Sequence, residues 1–303
     1  MTKTKDEEPG ESLPVSATGP SMMRKPAPGL HFLATPIGAA RDITLRALDI
    51  LREADVLAAE DTRTLRHLME IHGIPLGHRP LVAYHDHNGE QARPRLLQAL
   101  AEGKSVAYAS EAGTPLVADP GFQLGRAAIA VGYPVFAAPG PSAVLAALTV
   151  SGLPSDRFLF AGFPPNTASA RRKWLGELAD IPATLIFYES PKRVGEMLTD
   201  LVSCCGTDRQ AVVCRELTKR FEEVRRGTLE ELVQVFSAGP VKGEIVVLVD
   251  RARGPKFGPE DIEAMLRERL ARMSVKDAAA AVAEALGLPR REVYQKALAM
   301  ERE

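Results

Sequence analysis

Between Gly29 and Val249 the sequence alternates short apolar runs with stretches of helical periodicity, and most apolar runs end in small or polar residues. "GLHFLATPIG" reads as a strand and turn, "ITLRALDILREA" as a helix, and "DVLAAED" as a buried strand ending in acids. "TLRHLMEIHG" reads as a helix closed by Gly73 just past its end. "RPLVAYHDHN", "SVAYASEAGTP" and "YPVFAAPGPSAV" read as strands running into loops. "EQARPRLLQALAEG" and "GFQLGRAAIAVG" read as helices, the first kinked or started late at Pro94. A chain patterned in this way folds as a mostly parallel sheet covered by helices. A second strand series begins near Leu153 with "RFLFAGF", "ATLIFYES", "QAVVCREL" and "GEIVVLVD", and the Pro-containing "GLPSDRF" marks the junction.

These patterns divide the 303 residues into a disordered lead-in over 1–28, an α/β domain over 29–150, a second α/β domain over 151–252 and a helical tail over 258–303. The lead-in lacks the apolar centre of a secretory signal. In the tail, Ser274 stands at an N-cap, Gly287 past a helix end and Pro289 near a first turn. No stretch approaches the roughly 20 consecutive apolar residues of a membrane span. Cys204, Cys205 and Cys214 lack zinc-ligand spacing and form no obvious disulfide framework, so no metal is expected and a reducing cytoplasm is the simple reading. A formal net charge of −1 argues against wholesale electrostatic capture of nucleic acid but permits a local basic groove.

In open parallel sheets ligands bind beyond the carboxyl ends of the strands. Five such ends stand out: Thr35–Gly38, Glu60–Arg63, His85–Asn88, Ser110–Pro115 and Pro139–Ser142. Taken singly, each is a turn or a helix cap; together they would converge on one edge of the first domain. The sequence contains neither a nucleoside-triphosphate P-loop nor a dinucleotide-binding glycine pattern after the first strand. Glu111 and Asp119, in "SEAGTPLVADPG", would repel phosphates. A neutral or cationic ligand fits better, with Ala112 and Gly113 letting backbone groups approach it and a carboxylate taking hydrogen bonds from ribose hydroxyls or an amino group. S-adenosylmethionine is one candidate.

The serial motifs "ATPIGAARDIT", "AAEDTR", "YHDHN", "SEAGTPLVADPG", "PGPSA", "GLPSDRFLFAGFPP", "IFYESPKR", "CRELTKRFEE" and "KGEIVVLV" cover about residues 30–250. In this order they resemble the ribosomal RNA small subunit methyltransferase I group of the tetrapyrrole methylase superfamily. The resemblance implies two α/β domains, the second with a mixed sheet, with S-adenosylmethionine in the cleft between them. It further implies a homodimer that methylates the ribose 2′-hydroxyl of a cytidine in the decoding region of 16S rRNA. Ala39 stands where the group usually has Asn, Glu111 where it has Asp, and Pro191-Lys192-Arg193 where a His is common. Glu111 keeps the charge on a longer reach, and Ala39 leaves the first loop to act mainly through its backbone.

Carried over by position, Pro36 and Gly38 would shape the floor of the cofactor cleft, and Glu111, Gly113 and Thr114 would hold the methionine and ribose portions. Ser142 and Ala143 would add backbone and hydroxyl contacts. From the second domain, Tyr188, Leu217 and Gly243 would face the adenine. A ribose hydroxyl is a poor nucleophile until its proton is accepted; Asp61, His85, Asp86, Glu189 and Glu216 are the candidates, with no choice among them. Arg63, Lys192, Arg193, Arg215 and Lys219 could lower the hydroxyl pKa or clamp the adjacent phosphate. Arg171, Arg172 and Lys173, beside Trp174, form a run suited to RNA phosphates, as do Arg215, Lys219, Arg220, Arg225 and Arg226, though such runs are usually solvated faces. The tail resembles the helix-turn-helix-like unit of many group members and offers Arg290, Arg291 and Lys296, or else packs as a small module. Two other functions fit parts of the pattern: C-methylation of a uroporphyrinogen- or precorrin-type tetrapyrrole, and a non-catalytic role in ribosomal RNA binding and assembly.

Overall fold

The computed structural model describes residues 25–252, 259–286 and 288–301. The expected lead-in up to residue 24, most of the link before the tail and the Gly287 stop lie outside these described residues. The chain divides into two compact units, one up to Ser142 and the other from Ala143 onward.

Five strands build the first unit: β1 (Gly29–Leu33), β2 (Val56–Ala59), β3 (Leu81–Ala83), β4 (Ser105–Ala109) and β5 (Val135–Ala138). They pair in the order β3-β2-β4-β1-β5, and every pairing is parallel. The covering helices are α1 (Leu45–Glu53), α2 (Thr62–Ile71), α3 (Gly89–Ala101) and α4 (Phe122–Val131), with a short 3-10 turn at Ala40–Asp42. Period-2 alternation sends successive strand residues to opposite faces. Leu33, Leu57, Ala59, Ala107 and Ala109 pack with Leu48, Leu51, Leu65 and Met69 of α1 and α2. Leu30, Phe32, Val56, Ala58, Val106 and Tyr108 pack with Leu96, Leu100, Leu124 and Ala128 of α3 and α4. Burial on both faces explains why the strands read as unbroken apolar runs rather than alternating ones. Leu30, Leu33 and Leu57 are wholly buried, and each such leucine contributes roughly 1.5–3 kcal/mol.

Local signals set the helix ends. Thr44 Oγ1 accepts from Ala47 N at 3.2 Å and starts α1. Gly73, at φ +62°, closes α2, its N–H donating to Glu70 O while Ile74 N donates to Met69 O. Helix α3 begins at Gly89 and runs through Pro94, so the expected late start does not occur.

The second unit contains β6 (Phe158–Gly162), β7 (Thr184–Glu189), β8 (Gln210–Arg215), β9 (Glu223–Thr228) and β10 (Ile245–Val249) in the order β6-β7-β10-β8-β9. Only β6 and β7 are parallel, and the remaining pairings are antiparallel. Its helices are α5 (Ala143–Ser151), α6 (Ala168–Leu178), α7 (Val194–Cys205) and α8 (Leu229–Ser237). Leu175, Met197, Leu198, Leu201, Leu232 and Phe236 cover one sheet face at Leu185, Phe187, Val213 and Val247. The sequence reading puts the junction at 150/151, eight residues after the observed division. The reason is that α5 packs on β8, β9 and β10. Strand β9, "EVRRGT", is a correction to the strand series read above. Its charges mask it: it lies at the sheet edge, where Glu223 pairs with Arg215 of β8 and with Arg225.

The tail consists of α9 (Pro259–Leu270), α10 (Val275–Leu286) and α11 (Arg290–Glu301), closed on a core of Leu266, Ala279, Val282, Leu286, Val293 and Ala297. Ser274 caps α10 as expected, accepting from Asp277 N at 3.2 Å. Among the described residues no helix is long and apolar enough to cross a membrane.

Candidate functional site

Because all five strands of the first sheet run the same way, the loops that follow them share one edge. The loops after β1, β4 and β5 are laced together. Thr35 and Gly113 exchange backbone hydrogen bonds, Thr35 N to Gly113 O at 2.9 Å and Gly113 N to Thr35 O at 3.0 Å. Thr35 Oγ1 donates to Ser110 O at 3.2 Å, and Thr114 Oγ1 donates to Pro141 O at 2.8 Å. Gly113 lies at φ +81°, where a Cβ would sit 3.3 Å from Ile37 Cγ2. A Cβ on Gly140 would stand 3.0 Å from that of Ala34. Glycine is thus what lets the backbones come this close. The lacing gathers Pro36, Gly38, Gly113, Thr114 and Ser142, with Glu111 and Ala112 exposed at the tip.

The long loop after β4 is held out of relaxed geometry. Leu116 and Ala118 adopt φ +71° and +61°, conformations costing about 1–3 kcal/mol each that gather at ligand clamps and active sites. Tyr108 anchors the loop from below, its hydroxyl donating to Pro120 O at 3.1 Å. This cradle suits S-adenosylmethionine: close backbone, small side chains and a carboxylate, Glu111, with the nearby Arg63 engaged by Asp61. When bound, that cofactor supplies an electrophilic methyl group on a sulfonium.

The loops after β2 and β3 carry charge. Asp61 caps α2, accepting from Arg63 N at 2.8 Å and pairing with Arg63 Nη2 at 2.7 Å. The Arg63 side-chain hydrogen bonds hold its carboxyl down at about 2, which leaves Asp61 a weak proton acceptor. Arg63 itself projects into solvent, tied to Asp61. Asp86 is exposed and His85 half-buried; Asn88 shapes their turn by accepting from His85 N at 2.8 Å. Two acids outside the predicted set belong here. Burial raises the Glu60 carboxyl above the ordinary range; a Glu111 backbone N–H opposes this, while the Glu111 and Asp86 carboxylates reinforce it. Asp119 is pushed up to about 6, first by burial and then by Glu60. An acid directly after the wholly buried β2 is the signal that could have found Glu60.

In the second unit, Ile245 at the start of β10 pairs with both Glu189 and Arg215. This brings the ends of β7 and β8 together. Tyr188 meets Phe160 and Phe163 edge-on, with ring centroids 4.8 and 5.5 Å away. Glu189 is buried; its Oε1 takes Arg193 Nη2 at 2.5 Å and Ser190 N at 2.6 Å. Glu216, at φ +51°, accepts from Glu244 N at 2.9 Å and pairs with Lys219 at 3.0 Å. A Cβ on Gly243 would lie only 2.3 Å from Glu216 Cγ, so this glycine is required by a close approach. Leu217 is buried beside it, whereas Ala143 opens α5.

The predicted RNA-contacting cations separate. Arg171 is a correction: it is 1% exposed, pairing with Asp200 at 2.7 Å and Glu196 at 3.3 Å, and is a packing element rather than a phosphate contact. Arg172 reaches Asp200 at 3.1 Å yet stays half exposed. Arg193 is taken up by Glu189 and Asn166, Arg215 by Glu223, and Lys219 by Glu216 and Glu244. Lys173 and Lys192 are exposed. In the tail, Lys296 pairs with Glu263 at 3.2 Å. Lys276, Arg290 and Arg291 instead line a groove of about 370 Å³ with Tyr294.

Comparison with known proteins adds family relationships. The family model described as tetrapyrrole (corrin/porphyrin) methylases matches residues 29–233, and that of the RsmI C-terminal HTH domain matches 258–301. A protein of Mesorhizobium japonicum named ribosomal RNA small subunit methyltransferase I is 48% identical over 272 residues, 89% of this chain and 92% of that one. The protein of that name from Xylella fastidiosa strain Temecula1 is 48% identical over 88% of this chain and 97% of its own length. One from Mycobacterium tuberculosis H37Rv is 43% identical over 89% and 94%. Among solved structures, the methyltransferase CobJ superposes with a TM-score of 0.58 at 21% identity, over 76% of this chain and 97% of that one. A cobalt precorrin-4 methyltransferase gives 0.55 at 18% identity, over 73% and 94%. These two share the fold. By its family matches and its close relatives, the chain belongs to the tetrapyrrole methylase family and, within it, to the ribosomal RNA small subunit methyltransferase I group of S-adenosylmethionine-dependent methyltransferases.

Proposed function

We propose that this protein methylates the ribose 2′-hydroxyl of a cytidine in the decoding region of 16S rRNA, acting on the small ribosomal subunit in the cytoplasm as a homodimer. The observation that carries this reading is the laced loop set of the first unit, present in a chain so similar to named ribosomal RNA methyltransferases. Glu111, Gly113 and Thr114 would hold the methionine and ribose portions of the cofactor, over a floor shaped by Pro36 and Gly38. Ser142 and Ala143 would add contacts, and Tyr188, Leu217 and Gly243 would serve the adenine. Arg63, Arg172, Lys173 and Lys192 are predicted RNA contacts that remain exposed and so open to RNA phosphates.

The test is to map ribose methylation on ribosomal RNA from cells with and without the gene, and to incubate the protein with labelled S-adenosylmethionine. Loss of one 2′-O-methylcytidine, with label entering small subunits, is expected. Label entering a uroporphyrinogen-type substrate instead would move the protein to tetrapyrrole methylation. Subunit binding without cofactor affinity by calorimetry would make it an assembly factor.

A further inference from the structure

Among the described residues, the buried side-chain polar atoms lacking a hydrogen-bond partner belong to Glu60, His85, Ser110, Glu189 and Arg251. The first three sit together. Ala59 pairs with Ala83 of β3 and with Ala109 of β4, so Glu60 leaves its strand between Tyr84-His85 on one side and Ser110 on the other. Backbone bonds hold the three ends level: Glu60 N donates to Ala109 O at 3.4 Å and Tyr84 N to Ala59 O at 2.8 Å. Ser110 is 4% exposed, and its hydroxyl sits against the Asp119 carboxyl outside hydrogen-bond geometry. A buried polar atom left unpaired costs about 1–3 kcal/mol. Three on neighbouring strand ends mark a place completed by a ligand's polar groups.

The surroundings define those groups. Asp86, Glu111 and Asp119 are the charges facing Glu60, with His85 the nearby titratable ring. A phosphate is repelled there, whereas a sugar hydroxyl donates to a carboxylate and accepts from a serine or histidine. The cofactor and the acceptor nucleotide both carry a ribose. The laced cofactor cradle lies on the β1, β4 and β5 loops, while the unpaired atoms lie on the β2, β3 and β4 loops.

We infer that Glu60, His85 and Ser110 form the subsite for the ribose of the acceptor nucleotide, with Glu60 the catalytic proton acceptor. This rests on the function proposed above. The 2′-O–H bond breaks with its proton passing to Glu60 Oε2. The oxygen's electron pair forms the new bond to the methyl carbon, and the pair of the broken carbon–sulfur bond stays on sulfur.

The test is Glu60→Gln, which keeps shape and removes the base. It is read by single-turnover methyl transfer to unmethylated small ribosomal subunits, calorimetric affinity for S-adenosylmethionine and filter binding of subunits. The expected result is a fall of roughly 100-fold or more in the transfer rate with both affinities unchanged. Transfer at the wild-type rate overturns the inference. So does a loss confined to cofactor affinity, which would give these groups to the cofactor ribose. If Glu60→Gln fails to fold, Ser110→Ala removes one hydroxyl; weaker subunit binding with cofactor affinity intact supports the subsite, and unchanged binding overturns it. A wild-type protein that never methylates subunits defeats the underlying functional reading itself, an outcome distinct from any variant's behaviour.

Discussion

Replacing Gly243 by alanine tests the clasp at the ends of β8 and β10. Gly243 lies at φ +94°, and an added Cβ would stand 2.3 Å from Glu216 Cγ and 2.5 Å from Cδ. Alanine in left-handed backbone is disfavoured by roughly 1–2 kcal/mol. Glu216 cannot yield freely, because Glu244 N and Lys219 Nζ hold the same Oε1 at 2.9 and 3.0 Å. Displacing it loses a hydrogen bond to a charged acceptor, worth about 1.5–3 kcal/mol. Together the two effects come to roughly 2.5–5 kcal/mol, or about 5–20 °C in the melting temperature of a unit this size. The assay is scanning calorimetry of the wild type, Gly243→Ala, Glu216→Ala and the double variant. Removing Glu216 relieves the clash, so the two substitutions should couple by about 0.5–3 kcal/mol. A Gly243→Ala protein melting with the wild type, or strict additivity in the cycle, would refute the reasoning.

Asp119 supplies a pH prediction. Its folded-state pKa of about 6 lies above the ordinary 3.8, so the folded state holds the extra proton between those values and its stability falls as pH rises through that window. Asp119→Asn should flatten the fall in melting temperature and raise stability at pH 7, as read by thermal melts across pH. Charge reversal at Arg172 and Lys173 should weaken binding to small ribosomal subunits and leave cofactor affinity intact; filter binding and calorimetry check the two halves. Arg290→Glu with Arg291→Glu, on the tail groove, should lower subunit affinity and make it less sensitive to salt, because fewer phosphates are then neutralised and fewer counterions released. Lys296→Glu should leave that salt sensitivity unchanged, since Glu263 already engages it.

Much of the fold was legible because buried parallel strands carry unbroken apolar runs, and caps such as Thr44, Gly73 and Ser274 act over a few residues. The five strand-end loops were legible for the same reason: once the strands are parallel, their ends share an edge. What escaped depended on distant partners. Arg171 looks like its neighbours Arg172 and Lys173 until Asp200 and Glu196 arrive from another helix. The alternating charges of β9 conceal a strand whose pairing rests on β8. Glu60 stands directly after a buried strand, a signal the sequence carries, but the raised carboxyls of Glu60 and Asp119 come from burial beside each other, which the sequence pattern alone does not show. The unit boundary escaped because α5 follows the first sheet in sequence while packing on the second.

The rim strand β9 has a consequence for how copies of the folded chain meet one another. An unpaired strand edge is a template on which a second polypeptide can add by backbone hydrogen bonding. Here the rim carries Glu223, Arg225 and Arg226, with Arg225 exposed and Arg226 fastened back to Val150 and Ser151. An incoming strand would have to strip water from these charges, so the border disfavours edge-to-edge pairing with the sheet of another copy.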